Sequence, residues 1–310
     1  MRTLVLSDIH VDTFFAYAVE PKYLKKDDPA AHVVPDTLEY IWKMYNIPET
    51  EALILGGDYS NDFLTFSRTV PWLSKKYKHV FMVLGNHDIL VRGATLSKSN
   101  LQFTSSEQKL AEMKKVCHKY PNVHLLDGDD GDYVDNIAGC MGMCDFQCES
   151  PRYGLDAFTG WKRNWFDGVH WRYFNQEPQA IWAHYEQKME DILKRKPKVI
   201  VTHFVPYELG VSFEFRNDPW NYVFYFNAGK FLDMMEDDTY WVCGHVHGRR
   251  MAEYVNSSGK NIHILCNPVG YPGEGIKDYC DVLDYRGEKL ERSSKATKQE
   301  DFIINLPDIN

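Results

Sequence analysis

The sequence predicts an α/β fold, and three observations carry that prediction. Short continuous apolar runs alternate with longer segments of helical period, the pattern of strands buried on both faces and joined by helices. Five of those runs stop at a polar cluster of Asp, Asn or His. Apolar residues make up 44% and charged residues 25% of the 310, the balance of a globular chain.

Taken in order, Leu4-Val5-Leu6 is the first strand and ends at Ser7-Asp8. Pro35 to Tyr45 is expected to be helical, because Leu38, Ile41, Trp42 and Tyr45 recur at helical spacing. Ala52 to Leu55 is a second strand, ending at Gly56-Gly57-Asp58, and Asn61 to Tyr77 a helix interrupted by Pro71. Val80 to Leu84 is a third strand, running into Gly85-Asn86-His87-Asp88. Helices follow at Glu107 to Tyr120 and Gln179 to Lys196. The strands Val199 to Val201 and Tyr240 to Val242 end at Thr202-His203 and at Gly244-His245-Val246-His247. Beyond Arg249 the pattern turns strand-like, with Ile262 to Leu265 and Tyr279 to Tyr285, and the polar stretch Arg286 to Lys298 reads as a solvated connector.

The formal net charge is −9, so the global field does not favour a polyanion such as nucleic acid. The start of the chain is too short in apolar residues for a signal-peptide core, and no run approaches the roughly 20 residues of a membrane span. A soluble cytoplasmic protein that does not engage a membrane is the expectation. Seven scattered cysteines argue against a disulfide framework. Cys140, Cys144 and Cys148 are read as small apolar filler, since zinc sites use tighter pairs and a fourth ligand. Two aromatic-rich segments, Tyr153 to Trp182 and Phe213 to Phe226, lack a clean core period and suit either a pocket wall or a satellite core.

Seven potential metal ligands terminate the five strands: Asp8, His10, Asp58, Asn86, His203, His245 and His247. Asp8 and His10 are two apart, as are His245 and His247, so in extended chain each pair points to one side. Mixed carboxylate, imidazole and amide donors suit manganese or iron, with zinc compatible. Seven exceed what one catalytic ion needs, and two divalent ions sharing a carboxylate account for them.

Asp8-Ile9-His10, Gly57-Asp58, Gly85-Asn86-His87-Asp88, Thr202-His203 and Gly244-His245-Val246-His247 resemble, in order, the five blocks of the calcineurin-like metallophosphoesterases. The resemblance implies a four-layer αββα sandwich of two mixed β-sheets flanked by helices. The two aromatic-rich segments are expected to form an insertion over the active site, so the expectation is one domain over residues 1–310 with a cap at about 150–190 and an active-site loop at about 205–228. One metal would take Asp8, His10 and His247, and the other Asn86, His203 and His245, with Asp58 bridging. His87 would stand beside them as the catalytic acid, oriented by Asp88. Asp145 and Phe146, where the family's variable cap begins, and Trp165 in the aromatic segment are expected near the substrate.

The expected chemistry is hydrolysis of a small phosphorylated substrate, a monoester or diester with nucleotides among the candidates, by a hydroxide shared between the two ions. His87 would protonate the leaving group, help that is typically worth about 10²–10⁴-fold. A DNA-repair-type nuclease subunit is the alternative, for which Arg152, Lys162, Arg163 and Arg172 among tryptophans would supply the surface. A non-catalytic scaffold of the same fold would be expected to lack His87 or some ligands, and none is lacking. Substrate identity and oligomeric state do not follow from the sequence.

Overall fold

The structure is a computed structural model that describes residues 1–18, 29–91, 100, 102–127, 133–147, 156–172, 177–207, 218, 220–274, 277–278, 280–284, 289–293 and 298–309. Cys148, Arg152, Tyr153, Phe213, Phe215, Tyr279, Tyr285 and Arg286 lie outside the described residues.

The chain begins with β1 (Arg2–Leu6), α1 (Phe15–Ala18), α2 (Pro29–Met44), β2 (Ala52–Leu55), α3 (Phe63–Lys76), β3 (His79–Met82), α4 (Ser106–Cys117) and β4 (Val123–Leu125). Next come β5 (Ile137–Gly139), α5 (Ala157–Asn164), α6 (Phe166–His170), α7 (Pro178–Lys194), β6 (Val199–Val201), α8 (Gly229–Leu232) and β7 (Thr239–Cys243). Six strands close it: β8 (Gly248–Val255), β9 (Asn261–Cys266), β10 (Lys277–Asp278), β11 (Cys280–Asp284), β12 (Lys289–Ser293) and β13 (Ile303–Asn305).

These strands form two mixed sheets. One runs β13-β1-β2-β3-β4, with β1 to β4 parallel and β13 antiparallel at its edge. The other runs β12-β11-β8-β9-β7-β6-β5, with β10 added against β8. Within it β5, β6, β7 and β9 are mutually parallel, while β8–β9 and β11–β12 are antiparallel. Helices α3 and α4 pack on the first sheet, and α7 packs on β5 of the second. Together this is an α/β sandwich of two mixed sheets with helices, and its apolar interior is continuous. All four residues of β2 and all three of β6 are buried, as continuous Val/Ile/Leu runs require.

Three elements differ from expectation. Helix α2 extends upstream of Pro35, because Val33 and Val34 continue the buried face that Leu38 and Ile41 carry. Helix α3 passes through Pro71 unbroken. Its start is capped by Asp62, which accepts from Thr65 N at 2.7 Å, and Phe66, Val70 and Leu73 bury against the sheet, offsetting the proline's cost of about 3 kcal/mol. The stretch Arg286 to Lys298, expected as a connector, contains β12, whose backbone groups pair in register with β11 from Asp284↔Lys289 to Cys280↔Ser293. Ladder hydrogen bonds are indifferent to side-chain polarity, so charge content alone misses such an edge strand.

Candidate metal centre

The ligand candidates sit at the carboxyl ends of five strands, three in one sheet and two in the other. Asp8 and His10 follow β1, Asp58 follows β2, Asn86 follows β3, His203 follows β6, and His245 and His247 follow β7. Parallel strands deliver these ends to one edge of the sandwich. The two sheets are joined there by hydrogen bonds from His203 Nδ1 to Gly56 O (2.7 Å) and from His245 N to Asp8 Oδ1 (3.0 Å).

Four of the seven hold left-handed backbone: Asp8 (φ 52°), His10 (φ 37°), Asp58 (φ 58°) and His245 (φ 70°). Non-glycine residues in this region are strained, and such strain persists where the surroundings dictate a side chain's aim. Packing at the strand ends leaves room only for glycine at Gly57, Gly85 and Gly244. Gly57 has φ 92°, and a Cβ there would lie 2.7 Å from His203 Nδ1; a Cβ on Gly85 would strike Asp58 Oδ1.

The donors converge as two groups, Asp8 with His10 and His247, and Asp58 with His203 and His245, each holding its ligand atoms within 4.8 Å of one another. Asn86 joins the second, its Oδ1 lying 2.8 Å from His203 Nε2. Asp58 Oδ2 stands between the groups, 3.4 Å from His203 Nε2 and 3.8 Å from His10 Nε2.

His247 donates Nδ1–H to Glu274 Oε2 (2.7 Å), and its Nε2 lies 3.2 Å from His10 Nε2. Asp8 Oδ2, His10 Nδ1 and His245 Nε2 are buried without a hydrogen-bond partner among the described residues. Burial drives the His10 and His245 imidazoles well below their ordinary pKa, leaving them neutral and able to ligate. Burial also raises the Asp8 carboxyl, while at Asp58 the surrounding His203, His87 and His10 outweigh burial and hold the carboxylate charged. The donor set therefore fits divalent cations.

His87 lies at the edge of this cluster, its ring 5.1 Å from that of His10. Its expected partner is not the one the structure provides. His87 Nδ1 lies 2.8 Å from Asn61 Oδ1, and Asn61 Nδ2 in turn donates to Asp12 Oδ2 at 3.0 Å. Asp88 instead accepts four backbone N–H bonds, from Gly85 (2.8 Å), Asp58 (2.9 Å), Tyr59 (2.9 Å) and Ser60 (3.1 Å), with no exposed surface. A carboxylate beside four converging N–H groups is drawn to them, and the clasp joins the loop of Asp58 to that of Asn86. Burial and the nearby Asp58 charge push the Asp88 carboxyl upward, against the pull of those N–H groups.

Asp145 and Phe146, expected beside the substrate, have their described contacts within the chain. Asp145 accepts from Gln147 N (2.9 Å) and Asn227 N (2.8 Å), and the Phe146 ring packs on Phe158 and Trp161. Trp165 stacks on Trp220 and meets Phe224 edge-on, so the two aromatic segments pack against each other. From these segments Phe166 reaches the site, stacked on His87 at 5.6 Å and 42% exposed, as does Phe224, whose ring lies 5.3 Å from that of His245. Asp167, next to Phe166, is buried and accepts from Asn86 Nδ2 (2.8 Å), while Trp171 Nε1 donates to Asn86 O (3.1 Å). Asn61, Phe166, Asp167, Tyr271 and Glu274 are not among the candidate site residues marked by the sequence, and of these only Asn61, three residues after Asp58, carries a positional signal.

Burial pushes the Cys140 thiol up to about 12 and Cys144 well above its ordinary value, so both are neutral filler. No helix among the described residues is long and apolar enough to cross a membrane.

No curated protein matches the sequence. Among solved structures, a phosphopantetheinyl hydrolase from Mycobacterium tuberculosis has the same fold, with a TM-score of 0.62 at 15% identity over 87% of this chain and 89% of that one. A sequence model of calcineurin-like phosphoesterases matches residues 1–249, which include all seven ligand candidates and His87. The chain belongs to the calcineurin-like phosphoesterase family, the metal-dependent hydrolases of phosphoesters.

Proposed function

We propose that this protein hydrolyses small phosphate esters with two divalent cations, manganese or iron ahead of zinc, held by Asp8, His10 and His247 on one side and by Asn86, His203 and His245 on the other. The observation that carries the reading is Asp58 Oδ2, set between His10 Nε2 and His203 Nε2, the position of a shared carboxylate. Bound there, the cations supply an activated water at neutral pH and a counter-charge for phosphoryl oxygens.

The protein's own contribution lies in holding and moving protons. His203 Nδ1–H is committed to Gly56 O and His247 Nδ1–H to Glu274, which aims both Nε2 atoms at the centre. Asn61 takes the His87 Nδ1–H, so His87 offers Nε2 to the substrate and can protonate the departing oxygen there. Phe166 and the segment around it serve as a cap wall on the side where a leaving group departs.

Of the basic side chains behind the nuclease reading, two are engaged within the chain: Lys162 pairs with Glu177 at 2.9 Å, and Arg172 bonds the carbonyls of Val169 and Trp171. The scaffold reading is disfavoured by the convergence of every ligand candidate.

The test is elemental analysis of protein purified without chelator, with a manganese-supported hydrolysis panel. Nitrophenyl and alkyl monoesters, bis(nitrophenyl) phosphate, cyclic nucleotides and single-stranded DNA belong in it. A phosphopantetheinyl ester joins the panel because the structural neighbour carries that name. Two metal equivalents and turnover of small esters are expected. A single equivalent that Asp58→Asn leaves unchanged would refute the two-cation arrangement.

A further inference from the structure

We propose that Tyr271 is a second hydrogen-bond donor to the phosphoryl group, acting beside His87 from a loop that lies beyond the family-matched residues. The proposal rests on the phosphoesterase reading above and adds to it a residue outside the five sequence blocks.

The loop is fixed to the site at three points. Val269 N and Gly270 N donate to Ser7 O (3.0 Å) and Asp8 O (2.9 Å), tying it to the strand end that carries Asp8. Gly270, at φ 78°, turns the chain, and a Cβ there would come within 2.9 Å of Glu274 Oε2. That same oxygen accepts from Tyr271 N (2.8 Å) and from His247 Nδ1 (2.7 Å), so one carboxylate sets the backbone of Tyr271 relative to a ligand candidate.

The side chain follows from that anchoring. The Tyr271 ring lies tilted on His10, with centroids 4.4 Å apart, and meets His247 edge-on at 4.7 Å. Its hydroxyl reaches to 3.3 Å from His87 Nε2. Since Asn61 occupies Nδ1, Nε2 is the nitrogen that His87 turns to a substrate, and a phosphoryl group brought to Nε2 is also within reach of the phenol. With substrate bound, Nε2 of His87 turns to the oxygen that leaves, and the hydroxyl turns its hydrogen from Nε2 to a non-bridging phosphoryl oxygen. No bond to Tyr271 forms or breaks. Charge grows on the phosphoryl oxygens in the transition state, and a fixed donor aimed at them lowers the barrier. Tyr271 is only partly buried, so the substrate can reach it.

Tyr271→Phe removes the hydroxyl and keeps the ring on His10, and three measurements decide the proposal. Metal content and thermal midpoint should match wild type. Calorimetry of manganese-loaded protein with inorganic phosphate should show Kd weakened about fivefold or more. Steady-state kinetics should show kcat reduced about tenfold or more, by the same factor for a nitrophenyl and an alkyl phosphate ester. Unchanged phosphate affinity would overturn the proposal, as would unchanged kcat. A kcat loss confined to the alkyl ester would overturn it as well, because the hydroxyl would then be acting through His87. Wild-type protein that binds phosphate but hydrolyses neither ester would refute the phosphoesterase reading alone, leaving the phosphate arm to decide Tyr271.

Discussion

Replacing Asp88 by Asn tests whether this residue clasps two loops or orients the catalytic histidine. Oδ2 accepts from Gly85 N and Asp58 N, and Oδ1 from Tyr59 N and Ser60 N. Asparagine preserves the volume but keeps one oxygen, so at most two of the four N–H groups retain an acceptor. The other two face an amide NH₂, donor against donor, in a site with no exposed surface. A buried donor left unsatisfied costs about 1–3 kcal/mol, so the pair costs about 2–6 kcal/mol. Equilibrium urea unfolding should register that loss, with metal content falling because the displaced Asp58 backbone carries the shared carboxylate. Stability within about 1 kcal/mol of wild type, accompanied by a kcat defect confined to poor leaving groups, would refute the clasp and restore the orienting role.

Three further outcomes follow from the geometry. Gly85→Ala should abolish stable metal binding, because the added methyl collides with Asp58 Oδ1; elemental analysis showing two retained equivalents would contradict this. His87→Asn should keep both metals and lose roughly 10²-fold in kcat for alkyl esters, less for nitrophenyl esters, and equal turnover of alkyl esters would remove the acid assignment. Lys109 is buried, bonding Asn61 O and Leu90 O at 3.0 Å, and burial lowers its ammonium to about 8 despite the opposing charges of Asp88, Asp62 and Asp12. Between about 8 and the ordinary lysine value near 10.5 the unfolded chain holds a proton that the folded chain has released, so stability should rise with pH across that window. Urea unfolding of Lys109→Met should lack this rise, and an unchanged slope would exclude Lys109 as its source.

What the sequence determined by itself was whatever repeats locally. Continuous apolar runs such as Ala52 to Leu55 mark strands buried on both faces, and the polar residues that end them are adjacent in the chain to the elements that position them. Asp8, Asp58, Asn86, His203 and His245 were legible for that reason: parallel strands bring their carboxyl ends to one edge, so strand-end residues meet whatever the connections between them. Partnerships were not legible. Asp88 is next to His87 in sequence, yet four N–H groups from two loops claim its carboxylate, and Asn61, from the neighbouring strand's loop, takes the His87 ring. Likewise Phe166 reaches His87 across 79 positions of chain and Tyr271 across 184. Hydrogen bonds and ring contacts depend on distance in space, and only the packing of the two sheets, with the loops folded across their common edge, sets those distances.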